Sequence, residues 1–241
     1  MVQIYKTKTG ELFYLSCQKT AFMRILFVAA TSFEVGSLFE SGDIGEKNEK
    51  KTHRTHLSPH QSVLITGVGM VATAYALGLE LAKNQYDLAI NLGIAGCFDR
   101  GIALGDLVEI THDTIAELGA QDDESFLPIA DMGFGESVFK ASKPLSDIYP
   151  DAGLKQATAI TVNTVHGHKA SIQKIQKRLN PQIESMEGAA FFYACREAGV
   201  HCMQIRAVSN YVEKRNRDAW QIGLAVKNLN TFAVNLLNNL K

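Results

Sequence analysis

No stretch of this sequence approaches the roughly 20 consecutive apolar residues that a membrane helix requires. Basic runs are missing as well. Lysine and arginine number 24 against 25 aspartates and glutamates, a net charge of -1 over 241 residues. With no basic surface and no stacking-aromatic motif, nucleic acid is excluded as a partner. Cysteine is scarce: Cys17, Cys97, Cys195 and Cys202 stand apart and form no C-x-x-C pair. That excludes a disulfide framework and a cysteine zinc site, and it fits a reducing cytosol. The histidines His53, His56 and His60 cluster with no acid or cysteine beside them, so they read as a solvated loop, and His166 with His168 makes no better a metal pair. A secretion signal is lacking too. The apolar stretch 12–15 is too short for a signal core, and Glu11 precedes it directly. Residues 1–22 therefore read as an N-terminal extension, with one domain over 23–241.

What is present is a core-forming chain, 46% hydrophobic and 20% charged. From Met23 the pattern alternates. Continuous apolar runs of strand length occur at 24–31, 62–69, 87–96, 105–113, 156–165 and 201–209. Helical spacing occurs at 70–84, 169–179, 187–198 and 218–239. Such strands alternating with amphipathic helices predict a single α/β domain, a mixed and mostly parallel central sheet flanked by helices. Two polar stretches interrupt it, a solvated loop at 41–60 and a long excursion at 119–150. No repeat or linker divides the chain.

In such a sheet ligands bind beyond the carboxyl ends of the strands. Glu34 follows the first strand. Gly93 and Gly96 in "NLGIAG" allow close approach to the backbone. "GVGMVA" fits neither phosphate-loop pattern and reads as a tight strand-to-helix turn. In "ESMEGAAFF", Glu184 and Glu187 flank Met186 at a helix start. Acids there can simply complement the helix dipole, or one carboxylate can accept bonds from a sugar diol. "IRAVSNY", residues 205–211, ends an apolar run in Ser209 and Asn210. It is either a turn or an amide placed for a ligand.

Together, "MRILFVAATSFEV", "GVGMVATAYALG", "NLGIAGCFDRGIALGDLVEIT", "SMEGAAFFYAC" and "RAVSNYV" resemble the nucleoside phosphorylase/nucleosidase superfamily, in family order from residue 23 onward. "TVNTVHG" and "SNYVEKRNRDAW" are most similar to its futalosine hydrolase group, near the methylthioadenosine/S-adenosylhomocysteine nucleosidases. The resemblance implies N-glycosidic hydrolysis of a purine nucleoside by water in the cytoplasm, with no metal or cofactor and a homodimer or larger assembly. It implies Glu34 as the base acting on water, Glu187 holding the ribose hydroxyls, and Met186 against the sugar. Arg206 would lie near both glutamates. Thr164 and Val165 would flank the base, Trp220 would cover the 5′ substituent, and Ile94 replaces a serine of some relatives. Asn210 stands where adenine-specific relatives carry an aspartic acid. An amide donates a hydrogen bond but no proton, which points to a 6-oxopurine. A purine nucleoside phosphorylase, an adenosine-type nucleosidase and a non-catalytic nucleoside binder remain the alternatives. No G-D-P-x-R-like anion loop follows the first strand, and two retained glutamates are of no use to a mere binder.

Overall fold

A computed structural model describes residues 3–6, 12–15, 23–39 and 53–240. Two short strands, β1 (Gln3–Lys6) and β2 (Leu12–Leu15), pair antiparallel in a sheet of their own. The remainder of 1–22, and residues 41–52 of the expected loop, lie outside the described residues.

The main sheet starts at β3 (Ile25–Ala29), followed by β4 (His53–Ser58), β5 (Gln61–Ile65) and the helix α1 (Met70–Lys83). β6 (Leu88–Cys97) and β7 (Leu107–Ile115) come next. Strands β8 (Gly119–Asp122), β9 (Ser125–Pro128) and β10 (Val138–Lys140) then lead to β11 (Lys155–Thr161) and α2 (Lys169–Leu179). The chain closes with β12 (Ile183–Ser185), α3 (Gly188–Glu197), β13 (His201–Tyr211) and α4 (Ile222–Asn239). Along β3 all five residues are buried, with Ile25, Phe27 and Ala29 in one apolar cluster and Leu26 and Val28 in another. α4 covers the first face through Leu229, Ala233 and Leu236. α1 and α3 cover the second through Leu77, Phe191 and Phe192. A strand buried on both faces cannot alternate, which is why these runs read as continuously apolar.

The sheet is mixed, and part of it closes. β6 pairs parallel with β13, β13 antiparallel with β7, β7 parallel with β11, and β11 parallel with β12. β12 then returns antiparallel to β6. β6 therefore shares one of its edges between two neighbours. β3 takes Leu88–Asn91, and β12 takes Gly96 and Cys97. Between them the edge is split, and the split opens the floor of the site.

Two expectations need correction. Residues 53–58 are not loop but β4, antiparallel to β5. An outer strand with a solvated face carries polar residues such as His53, Arg54 and His56, which hides it from an apolar-run search. The excursion 119–150 is not irregular throughout either. It holds the β8–β9 hairpin, β10 on the sheet edge, and Leu145 buried with its N–H donating to Glu109 at 2.6 Å.

Candidate active site

A cavity of about 490 Å³ opens over the split edge of β6. Its wall brings together Glu34, Met186, Glu187 and Asn210, with Val165 and Trp220 further out.

Glu34 sits in a 3-10 segment, Ser32–Leu38, directly after β3. Its Oε2 accepts the Thr31 N–H at 3.0 Å and the Thr31 hydroxyl at 3.1 Å. Its Oε1 accepts the Ile94 N–H at 3.1 Å, an amide lying in the gap between β3 and β12. Burial pushes the Glu34 carboxyl above the usual range. The Ile94 bond opposes that, Glu187 reinforces it, and Arg206 opposes it. A carboxylate held in place yet reluctant to ionise suits a base that must both take and return a proton.

Glu187 stands at the N-cap position of α3 but makes no cap bond to its own helix. Instead Oε1 accepts the Gly69 N–H at 2.9 Å from the turn before α1, and Oε2 accepts the Met186 N–H at 3.3 Å. Glu187 therefore does not cap α3 through a hydrogen bond. Gly67 and Gly69 both have positive φ, 87° and 95°, so "GVGMVA" is a tight turn whose amide orients Glu187.

Arg206 is buried behind the wall rather than on it. One guanidinium nitrogen donates to Asn91 Oδ1 at 2.5 Å and to Gln204 Oε1 at 2.6 Å. Gln204 donates in turn to Asp113 at 2.9 Å, and Thr161 also donates to Asp113 at 2.8 Å. Burial raises Asp113 to about 6, against those two bonds and the Arg206 charge. This chain of polar groups fixes a positive charge whose field favours the ionised forms of Glu34 and Asp113. Among the described residues no carboxylate lies within ion-pair distance of Arg206, so it acts through the field rather than by contact.

The model of the Phosphorylase superfamily matches residues 24–238. The futalosine hydrolase of Streptomyces coelicolor is 36% identical over 68% of this chain and 73% of its own. That of Acidothermus cellulolyticus is 31% identical over 85% and 86%. The chain belongs to this superfamily, in the futalosine hydrolase family. Among solved structures, the native futalosine hydrolase of Helicobacter pylori superposes with a TM-score of 0.74 at 14% identity, covering 91% of this chain and 97% of that one. At that identity it speaks for the fold alone.

Within this superfamily fold the remaining expected residues divide. Val165 lines the cavity, whereas Thr164 is exposed and off the wall. Gly93 does not clear room for a ligand. A Cβ there would stand 2.0 Å from Arg206 Nη1 and 3.1 Å from Glu34 Oε1, so the missing side chain accommodates the protein's own groups. Trp220 is half-buried, with the Arg215 guanidinium 5.0 Å from its ring centroid. Arg215 lines the cavity and Arg217 does not. "SNY" is no turn. It completes β13, with an irregular register between Val208 and Asn210 that leaves Ser209 unpaired and sets Asn210 opposite Gly96. Asn210 Nδ2 donates to the Tyr211 carbonyl at 3.1 Å, which fixes the amide orientation and leaves its second N–H free for a ligand.

Local sequence does not reveal one pairing. His166 and Glu184 both line the cavity. Glu184 Oε1 accepts the His166 main-chain N–H at 2.9 Å, and Oε2 bonds the imidazole Nδ1. Eighteen residues separate them in sequence, and no local spacing rule links a loop histidine to an acid in β12.

Proposed function

We propose that the protein hydrolyses the N-glycosidic bond of futalosine, releasing hypoxanthine and dehypoxanthinyl futalosine for menaquinone synthesis by the alternative route. The observation that carries the reading is the pairing of two buried carboxylates, Glu34 and Glu187, with an amide, Asn210, on one cavity wall. Breaking a ribosyl–purine bond leaves an oxocarbenium-like sugar and a base that must shed negative charge. Glu34 orients and deprotonates the attacking water. Glu187 accepts bonds from the ribose hydroxyls, with Met186 against the sugar, and Arg206 offsets the repulsion between the two acids. Asn210 steadies the departing 6-oxopurine by hydrogen bonding rather than by protonation. The carboxylated aryl tail lies along Trp220, where Arg215 meets its carboxylate. No metal enters the chemistry.

The assembly is a homo-oligomer in the cytoplasm. Val71, Tyr75 and Leu79 form an exposed apolar stripe at four-residue spacing on α1, continuous with exposed Phe33 and Val68 at the cavity mouth. Such a stripe marks a protein contact, here with a second copy. No described helix is long and apolar enough to cross a membrane.

A substrate panel tests the reading. Purified protein is incubated with futalosine, inosine and methylthioadenosine, with and without phosphate, and released base is quantified by chromatography. The expected result is hypoxanthine from futalosine at a rate indifferent to phosphate. Phosphate dependence, or adenine release as the faster reaction, would replace the assignment.

A further inference from the structure

β6 carries Gly96 with a partner on each side. Glu184 of β12 faces it from one edge, and Asn210 of β13 faces it from the other. Register partners on adjacent strands project to the same face, so both side chains rise on the cavity side of a residue that has none. The two backbones stand roughly 10 Å apart at ordinary strand spacing. A Cβ on Gly96 would stand 3.0 Å from Val212 Cγ2 and 3.3 Å from Asn210 Nδ2, so any side chain there would crowd the Asn210 side of this space. The result is a slot with an amide on one wall, a carboxylate on the other, and bare backbone as its floor.

Glu184 is only 3% exposed and faces the cavity, yet the hydrolytic steps make no use of it. A carboxylate offers about four acceptor positions. His166 occupies one on each oxygen, by its main-chain N–H and by its ring. That leaves one free acceptor position on each oxygen. Resting on the 6-oxopurine reading proposed above, we infer that Glu184, held by His166, reads the base by accepting its N1–H, opposite Asn210. In hypoxanthine the N1–H and N7 flank the 6-oxo group. A base laid over Gly96 presents N1–H to Glu184 and N7 or O6 to the free N–H of Asn210. Adenine reverses the first contact. Its N1 is an acceptor and would meet a buried carboxylate, an acceptor–acceptor clash that rejects the wrong base as well as favouring the right one. Glu184 is thus the specificity residue and His166 the positioning residue, since His166 acts through the carboxylate.

Binding of free bases to the whole protein separates this from the hydrolytic reading. Hypoxanthine, 1-methylhypoxanthine and adenine are titrated calorimetrically against the parent and against Glu184→Gln, and futalosine turnover is measured in parallel. The parent should prefer hypoxanthine to its 1-methyl form by about 10- to 100-fold, the usual effect of leaving a buried acceptor unmatched. Glu184→Gln, whose amide can donate to N1 of adenine as well as accept from the N1–H of hypoxanthine, should bring the hypoxanthine-to-adenine ratio near unity. His166→Gln should weaken the preference partially. Equal binding of hypoxanthine and 1-methylhypoxanthine by the parent overturns the inference without any variant, as does an unchanged hypoxanthine-to-adenine ratio in a folded Glu184→Gln. Futalosine turnover with an unchanged ratio leaves the hydrolase reading standing and removes Glu184. An N1-dependent ratio without futalosine turnover does the reverse. Preference of the parent for adenine removes both.

Discussion

Glu34 shows how one side chain is kept both rigid and basic. Three donors hold its oxygens, from the Thr31 backbone, the Thr31 hydroxyl and the Ile94 backbone. Those bonds favour the ionised form, and burial, the larger effect, favours the neutral one. Because the folded-state value is raised above 4.5, the neutral form dominates below it and the working carboxylate appears only as pH rises through it. The acid limb of kcat/KM for futalosine should therefore fall at a pH above that of an ordinary glutamate. Glu34→Gln should lower the plateau by about 10²- to 10⁴-fold, the range for a lost general base, and abolish that limb. A pH–rate profile of both proteins checks this. A variant that keeps the parent's limb would assign it to another acid, with Glu187 the first to examine.

The start of α3 is where an element, rather than a residue, makes the site. Gly188 lies directly over the buried polar chain, and a Cβ there would stand 2.0 Å from Asp113 Oδ2 and 2.2 Å from Gln204 Oε1. Neither atom is a flexible surface tip, so Gly188→Ala must push α3 outward and carry Glu187 with it. Overpacking of this kind costs about 1–3 kcal/mol. Urea unfolding should show that loss, and ribosyl over 2′-deoxyribosyl discrimination should fall with it. Lowered stability with intact discrimination would mean that Glu187 is positioned by Gly69 alone. The "EGAA" run exposes this arrangement in the sequence, because small residues after an acid signal close approach. α1, α2 and α4 are legible for a related reason, their apolar residues recurring at helical spacing over three or more turns. β12 is not, since three residues cannot display a period, and so Glu184 reads as the first turn of a helix. The Ser209 irregularity is equally silent. A side-chain alternation of two looks the same until the partner strand supplies the register. Arg206 and Gly93 are each visible as single residues, but the guanidinium filling the glycine's place is a fact of packing.

At the scale of the molecule, Phe33 and Val68 at the cavity mouth are exposed like the α1 stripe, so the proposed second copy would tie assembly to activity. Val71→Glu with Tyr75→Glu should convert the oligomer to monomer in sedimentation velocity and lower futalosine turnover, because Phe33 and Val68 at the rim lose their cover. Monomeric protein with full activity would separate the two. The ring of strands has a consequence of another kind. β6 receives β13 only when His201 can face Leu88, and β7 waits for the same strand, its Leu107 facing Ala207. Contacts so distant along the chain slow folding. During synthesis the early strands leave the ribosome with apolar edges open and nothing yet made to cover them. The half-built protein is a target for chaperones and for its own copies on neighbouring ribosomes, and a stop codon anywhere before β13 leaves a sticky fragment rather than a smaller enzyme.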